Sequence, residues 1–263
     1  MAKRFRLNTR GFGGEPAVPD VKTLSAWVGR HKGRTADILT FRLDQSLAPQ
    51  IDAGIMMPCA GGMFYAERIL ASLAGVVNGH ATGEVHAETC AMIEDAAGIV
   101  VQKKGAWCAV PAPHALGIQD DYYDDEMEWN AAICGAYRTV FRDMRDTGVD
   151  GHIIICNRIM DAELVALNHV KVFFFEPEPD TASIARLLER QHQVAVVKES
   201  LRTLLDLADE YTIQKLFIIN PDPQAIALAR THLDPDQIVA GGYCTDDSED
   251  YWKKIVAAAE ITL

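Results

Sequence analysis

The sequence predicts an α/β fold, and three observations carry that reading. From Gly151 onward, short apolar runs alternate with amphipathic stretches. The centres of the runs recur about every 22 residues. Each spacer has room for one helix and none for a hairpin, so successive strands should be parallel. The expected strands are Ile153 to Cys156, Val170 to Phe175, Val194 to Val197, Leu216 to Ile219 and Ile238 to Ala240. Asp161, Asp180, Ser200 and Ser248 stand where helix N-caps are needed. Leu201, Leu204, Leu205 and Ala208, and later Trp252, Ile255, Val256 and Ala259, keep the spacing of a buried helical face.

The part before Gly148 reads as less regular α+β structure. Val21 to Val28 is a short helix. Ala36 to Leu43 alternates as a strand, and Asp52 to Met57 is a second strand. Phe64 to Val77 and Glu84 to Ala97 are expected to be helices, and Gly98 to Val110 to be β structure. The long helix from Glu126 to Arg145 is the firmest element here, with Ile133, Tyr137, Val140, Phe141 and Met144 as its core stripe. The chain divides into an α+β region over 1–148 and a parallel βα-repeat region over 149–263, or forms one continuous domain. Five parallel strands favour an open doubly wound sheet. Adding three strands from the first region would instead permit an eight-stranded barrel.

Composition narrows the class. The chain has 263 residues, 49% of them hydrophobic, enough for a buried core. It lacks an apolar run of membrane-spanning length, and no apolar segment follows the charged start, so a soluble cytoplasmic protein is expected, without membrane contact. Six cysteines without a CxxC pair fit reduced thiols. The net charge of −12 is uneven: residues 1 to 34 carry +6 and the remainder −18. A basic arm on an acidic body suits an anionic ligand or a second subunit, so a homo-oligomer is compatible with it; nucleic-acid binding is not expected.

Chemistry-bearing residues fall into three groups. The first lies in GHATGEVHAETCAMIEDA, from Gly79 to Ala96. His86, Ala87 and Glu88, with Ala91 and Met92 after them, form a string that resembles the active-site helix of zinc-dependent nucleobase deaminases, in which the His ligates zinc and the Glu moves protons. The resemblance spans about a dozen residues, and the PCxxC element of that family is absent. On the residues alone, a mixed set from His80, His86, Cys90, Cys108 and His114 is chemically suited to zinc. His80 and His86 are the expected ligands of a divalent metal, zinc preferred, and Glu88 the expected catalytic proton carrier.

The second group is the acidic run Asp120, Asp121, Asp124, Asp125, Glu126 and Glu128. It suits magnesium, or it caps the long helix, whose first turn favours negative charge. The third comes from architecture, because parallel strands deliver the residues that follow them to one edge. These include Asn157, Arg158, Glu176, Glu178, Lys198, Asn220, Asp222 and the stretch from Gly241 to Asp246. Arg158 and Lys198 could neutralise an anion, Asn220 could hydrogen-bond it, and Gly241 and Gly242 would let backbone amides approach it. No GxGxxG follows a strand, and neither a P-loop nor a GxSxG elbow occurs. The resulting expectation is an α/β enzyme acting on a small polar, anionic molecule by metal-assisted hydrolysis. The alternative is a noncatalytic protein that binds a metabolite or a partner at the same strand ends.

Overall fold

The computed structural model describes residues 4–31, 36–245 and 250–262. Its centre is eight parallel strands: β2 (Asn8–Gly14), β3 (Cys59–Gly61), β6 (Trp107–Pro111), β8 (Gly151–Ile155), β9 (Val172–Phe175), β10 (Gln193–Val197), β11 (Lys215–Ile219) and β12 (Ile238–Cys244). They form two four-stranded ladders, in the orders β3-β6-β8-β9 and β10-β11-β12-β2. All five strands expected after Gly151 are present, and every pairing in the two ladders is parallel.

Each ladder mixes strands from both sides of Gly148, so the second half of the chain does not make one sheet by itself. The N-terminal β2 pairs with the last long strand, β12, through partners such as Arg10 and Gly241. The ladders meet on one side at a parallel bridge between Arg10 and Met57, where Gly11 N–H donates to Met57 O at 2.9 Å. On the other side no backbone ladder links β9 to β10 among the described residues; the Gln191 side chain bridges them instead. It accepts from Phe174 N–H and donates to Phe174 O, both at 3.1 Å, and donates to Gln193 O at 2.8 Å.

One apolar cluster explains the arrangement. Phe12, Cys59, Ala109, Ile153, Ile155, Phe173, Phe175, Ala195, Phe217, Ile219 and Val239 pack together, and every one of the eight strands contributes. Strands that all turn a face inward on a common interior are arranged as in a barrel, the second of the two closures the sequence allowed. At the amino end of this interior sits Arg10, 5% exposed. Its guanidinium carbon is 4.1 Å from the Trp107 ring centroid and 5.0 to 5.4 Å from those of Phe12, Phe173 and Phe217. Nε and Nη2 have no hydrogen-bond partner among the described residues. Burial lowers its pKa to about 10, against the opposing influence of Cys59 and Asp150.

The helices cover the outside: α1 (Val21–Arg30), α2 (Ile38–Ala53), α3 (Ala66–Ala71), α4 (Cys90–Gln102), α5 (Glu126–Thr147), α6 (Asp161–Leu167), α7 (Thr181–Gln191), α8 (Leu201–Asp206), α9 (Pro223–Ala229) and α10 (Tyr251–Ala258). The long helix α5 is as expected. Asp125 caps it, accepting from Met127 and Glu128 N–H at 2.7 and 3.2 Å, which accounts for part of the acidic run. Asp180 caps α7 through Ser183 N–H at 2.7 Å, whereas Met160 rather than Asp161 holds the N-cap position of α6. Ser200 precedes α8 without a side-chain cap bond. Ser248 lies outside the described residues. No helix among the described residues is long and apolar enough to cross a membrane.

The first half differs most from expectation. Ala36 to Leu43 is not a strand but opens α2, where Asp37 and Thr40 make a capping box with two bonds of 2.8 Å. The alternation over eight residues misleads; over a longer window the buried Leu39, Leu43, Ser46, Leu47 and Gln50 follow helical spacing. Asp52 to Met57 is the end of α2 and its exit, and β3 begins only at Cys59. The expected helix over Phe64 to Val77 stops at Ala71 and gives way to β4 (Leu73–Val77). Glu84 to Ala97 is likewise split. Its first residues belong to β5 (His80–Ala87), antiparallel to β4, and α4 starts at Cys90 and runs into the stretch expected to be β structure. Gly75, at φ 80° in the β4 bulge, has Glu84 O only 2.4 Å from where a Cβ would stand, so no other residue fits. The short β7 (Gln119–Asp120) extends this sheet, and β1 (Arg4–Arg6) pairs with β13 (Glu260–Thr262) near the termini.

Candidate functional site at the strand ends

Parallel strands bring the residues after β6, β8 and β9 together. His114 follows β6 in a short 3-10 turn, and Glu163 on α6 grips it twice: Oε1 accepts from His114 N–H at 2.7 Å, and Oε2 lies 2.8 Å from Nδ1. On the other side of the ring, Nε2 lies 2.7 Å from Asn157 Oδ1, directly after β8. With an oxygen beside each nitrogen, the surroundings favour the protonated ring. Burial opposes the charge, but the Glu163 hydrogen bond and carboxylate outweigh it, with help from Asn157, so the His114 pKa lies above its ordinary value.

Glu176 follows β9 and is 8% exposed. Its Oε2 has no partner among the described residues, and burial raises its pKa, partly offset by a hydrogen bond with Ser183 at the start of α7. Cys156 beside it is buried, with Sγ 3.3 Å from Phe175 O, and burial pushes its thiol pKa up, so it is no ready nucleophile.

Across the mouth, Glu15 leaves β2 and ties three elements. It accepts from Met63 N–H at 2.5 Å, Phe64 N–H at 3.3 Å and Tyr243 O–H at 2.6 Å, with Arg42 Nη2 3.9 Å away. Burial and the Glu15 charge raise the Tyr243 pKa, so this phenol stays protonated. Met63, Val197 and Tyr243 pack on the inner cluster, Tyr243 edge-on to Phe175 at 5.5 Å, and give the mouth an apolar floor. A cleft of about 380 Å³ opens beside Gly14, Glu15, Cys244 and Trp252 at the ends of β2 and β12.

The strand-end residues named from sequence are distributed unevenly. Asn157 joins His114. Arg158 is exposed and close enough to His114 to oppose its charge. Lys198 is also exposed and pairs with Asp222 at 3.3 Å. Asn220, at φ 52°, accepts from the Tyr251 hydroxyl. Gly241 and Gly242 lie within β12, not after it. A Cβ on Gly241 would meet Ile219 Cδ1 at 2.9 Å and one on Gly242 would meet Trp252 Cζ3 at 2.6 Å, so both serve close packing. Asp246 lies outside the described residues.

The residues expected to bind metal are not brought together. His80 and His86 stand six residues apart on β5, about 20 Å at the rise of a strand. His80 Nδ1 is 2.7 Å from Asp121 Oδ2, and His86 Nδ1 is 3.3 Å from Glu84 O. Glu88 is exposed just after β5, its N–H donating to Ser72 O at 2.7 Å. In the string that resembles a deaminase helix, His86 and Ala87 therefore end β5, Glu88 lies in the connection, and only Ala91 and Met92 are helical, in α4. Cys90 is exposed at the start of α4, and Cys108 is buried in β6. Among the described residues no group of three or more His, Cys, Asp or Glu is placed to hold a metal ion. His80 and His86 therefore do not form a shared metal site.

Glu163 and Glu15 are not among the residues nominated from sequence, and Tyr243 enters there only as part of the stretch from Gly241 to Asp246. Glu163 is 49 residues from His114, and Tyr243 is 228 from Glu15, so no local pattern joins them.

No protein-family model matches the sequence, and no curated sequence is similar to it. Solved structures are. One is described as a putative vitamin-B12 independent methionine synthase from Listeria monocytogenes, with a TM-score of 0.67 and 13% identity over 97% of each chain. Another is a B12-independent methionine synthase from a Shewanella species in complex with selenomethionine, with a TM-score of 0.61 and 13% identity over 97% of this chain and 96% of that one. At this identity the likeness shows a shared α/β fold. Both neighbours are named as methionine synthases, so the expectation of a hydrolase finds no support among them.

Proposed function

We propose that the strand ends hold a small amino-acid-like molecule and that the chain moves a one-carbon group onto or off it. The observation that carries this reading is the His114 ring held between Glu163 and Asn157 after the parallel strands, together with the packing of Met63, Val197 and Tyr243 on the inner apolar cluster. A carboxylate can replace the Asn157 oxygen on Nε2, with Arg158 at hand to share the charge. The floor then takes an apolar side chain of thioether size, and the free oxygen of buried Glu176 remains as an acceptor for an ammonium group. The ligand is a small molecule with an anionic end, consistent with the selenomethionine bound by the Shewanella neighbour.

In the transfer itself, a substrate thiol would release its proton to solvent and its sulfur bond to the migrating carbon, while the bond from that carbon to its donor atom breaks and leaves its electron pair there. Titration calorimetry with selenomethionine, methionine and homocysteine tests the binding. The reading expects saturable binding of at least one, weakened about tenfold or more by His114→Gln. Incubation with homocysteine and a methylsulfonium donor, followed by mass spectrometry for methionine, tests the transfer. Binding without transfer would favour a noncatalytic metabolite-binding protein, and absence of both would overturn the proposal.

A further inference from the structure

The ladder between β2 and β12 loses its register at the mouth. Gly242 pairs with Gly11 and Cys244 with Gly14, so Phe12 and Gly13 together stand opposite the single residue Tyr243. This is a β-bulge in β2, in which Gly13 takes φ 89°. A bulge bends its strand and re-aims the side chains around it. Here the chain leaves the bulge with Glu15 N–H donating to Cys244 O at 2.7 Å, and the Glu15 carboxylate accepts the Tyr243 hydroxyl at 2.6 Å. Two backbone donors fix that carboxylate, Met63 N–H at 2.5 Å and Phe64 N–H at 3.3 Å. Their approach depends on Gly62, because a Cβ there would stand 2.5 Å from Glu15 Oε1. The Tyr243 side chain is thus held twice, at its hydroxyl by Glu15 and at its ring by the inner cluster, edge-on to Phe175.

Resting on the amino-acid site proposed above, we infer that Tyr243 limits the length of the apolar side chain the floor accepts, and that Glu15 is its positioning residue. A ring free to pivot would swing aside for a longer ligand. Turning this one breaks a hydrogen bond to a carboxylate that two amides hold in place, so the swing is opposed. The floor then fits a thioether that ends in one methyl group, and an added methylene overpacks it.

The test compares methionine with ethionine, which is longer by one methylene at the end remote from the carboxylate and ammonium. Both are titrated calorimetrically into the full chain and into Tyr243→Phe, Glu15→Gln and Tyr243→Leu, each checked for folding by circular dichroism. The wild-type chain should bind methionine about tenfold or more tighter than ethionine. Tyr243→Phe and Glu15→Gln keep the ring but release it, and should narrow the preference to about threefold or less. Tyr243→Leu removes the ring and should abolish or reverse the preference. A merely structural role would weaken both ligands by one factor and leave their ratio unchanged. An unchanged ratio in Tyr243→Phe and Tyr243→Leu, or equal binding of the two ligands by the wild-type chain, would overturn this inference and leave the amino-acid site standing. Binding of neither ligand by the wild-type chain would overturn both.

Discussion

Glu163 holds His114 by both its ring and its backbone, with contacts of 2.8 and 2.7 Å, and so joins α6 to the turn after β6. Because the pKa of His114 is raised in the fold, the pair contributes its full stabilisation below the unfolded value near 6.5 and loses it as pH rises through the folded value. Glu163→Gln should cost about 2 kcal/mol in urea unfolding at pH 6, with a smaller deficit at pH 9. A deficit that grows with pH would show that the ring is not held charged.

His152 behaves in the opposite sense. It is fully buried on β8, stacked on Phe141 with centroids 4.2 Å apart, and neither ring nitrogen has a partner among the described residues. Burial, aided by Arg145, lowers its pKa to about 3. The unfolded chain therefore binds the proton first, and stability falls as pH drops from about 6.5 toward 3. His152→Leu should change little at pH 8 and remove about 2 to 3 kcal/mol of acid destabilisation by pH 4, read from pH-dependent unfolding. Identical acid profiles for the two proteins would refute this.

Arg10 is a charge buried without hydrogen bonds at Nε and Nη2, with aromatic faces as its main compensation. Replacing such a group by an apolar one of similar length is commonly neutral or stabilising. Arg10→Met should leave the melting temperature unchanged or raise it by a few degrees. A loss of several degrees would show that the cation–π cage outweighs desolvation.

Glu176 carries a related cost. Its raised pKa means that the carboxylate is disfavoured in the fold, so the cost appears as pH rises above the unfolded value near 4.5. Glu176→Gln should stabilise the chain by about 1 kcal/mol at pH 7 and not at pH 4 while weakening ligand binding, the trade expected of a group retained for function. Thermal melts at the two pH values, alongside calorimetry with selenomethionine, decide it.

What the sequence made legible follows from where the signals are local. The strands after Gly151 are runs of Val, Ile and Phe bounded by polar residues, and a period of this kind needs no tertiary information. β3 is Cys-Ala-Gly, three small residues whose strand character comes from pairing with β6. The barrel-like closure rests on such strands and on the pairing of β2 with β12 across the whole chain, which periodicity does not encode. The site shows the same limit. Asn157 and Glu176 were nominated because parallel strands deliver their successors to one edge, whereas Glu163 and Tyr243 acquire meaning only from partners distant in sequence. His80 and His86 misled because the segment was read with helical period, while Ala81 and Val85 are buried and Thr82, Glu84 and His86 are exposed in strand alternation.

The central claim is that a small amino-acid-like molecule sits at the strand ends over Met63, Val197 and Tyr243. The most direct measurement is a crystal of the sulfur-methionine protein soaked with selenomethionine and recorded at the selenium absorption edge. The account predicts one anomalous peak at the mouth, about 4 to 5 Å from that floor, with the ligand carboxylate on His114 Nε2 in place of Asn157. A peak only outside the mouth, or none at saturating ligand, would contradict it.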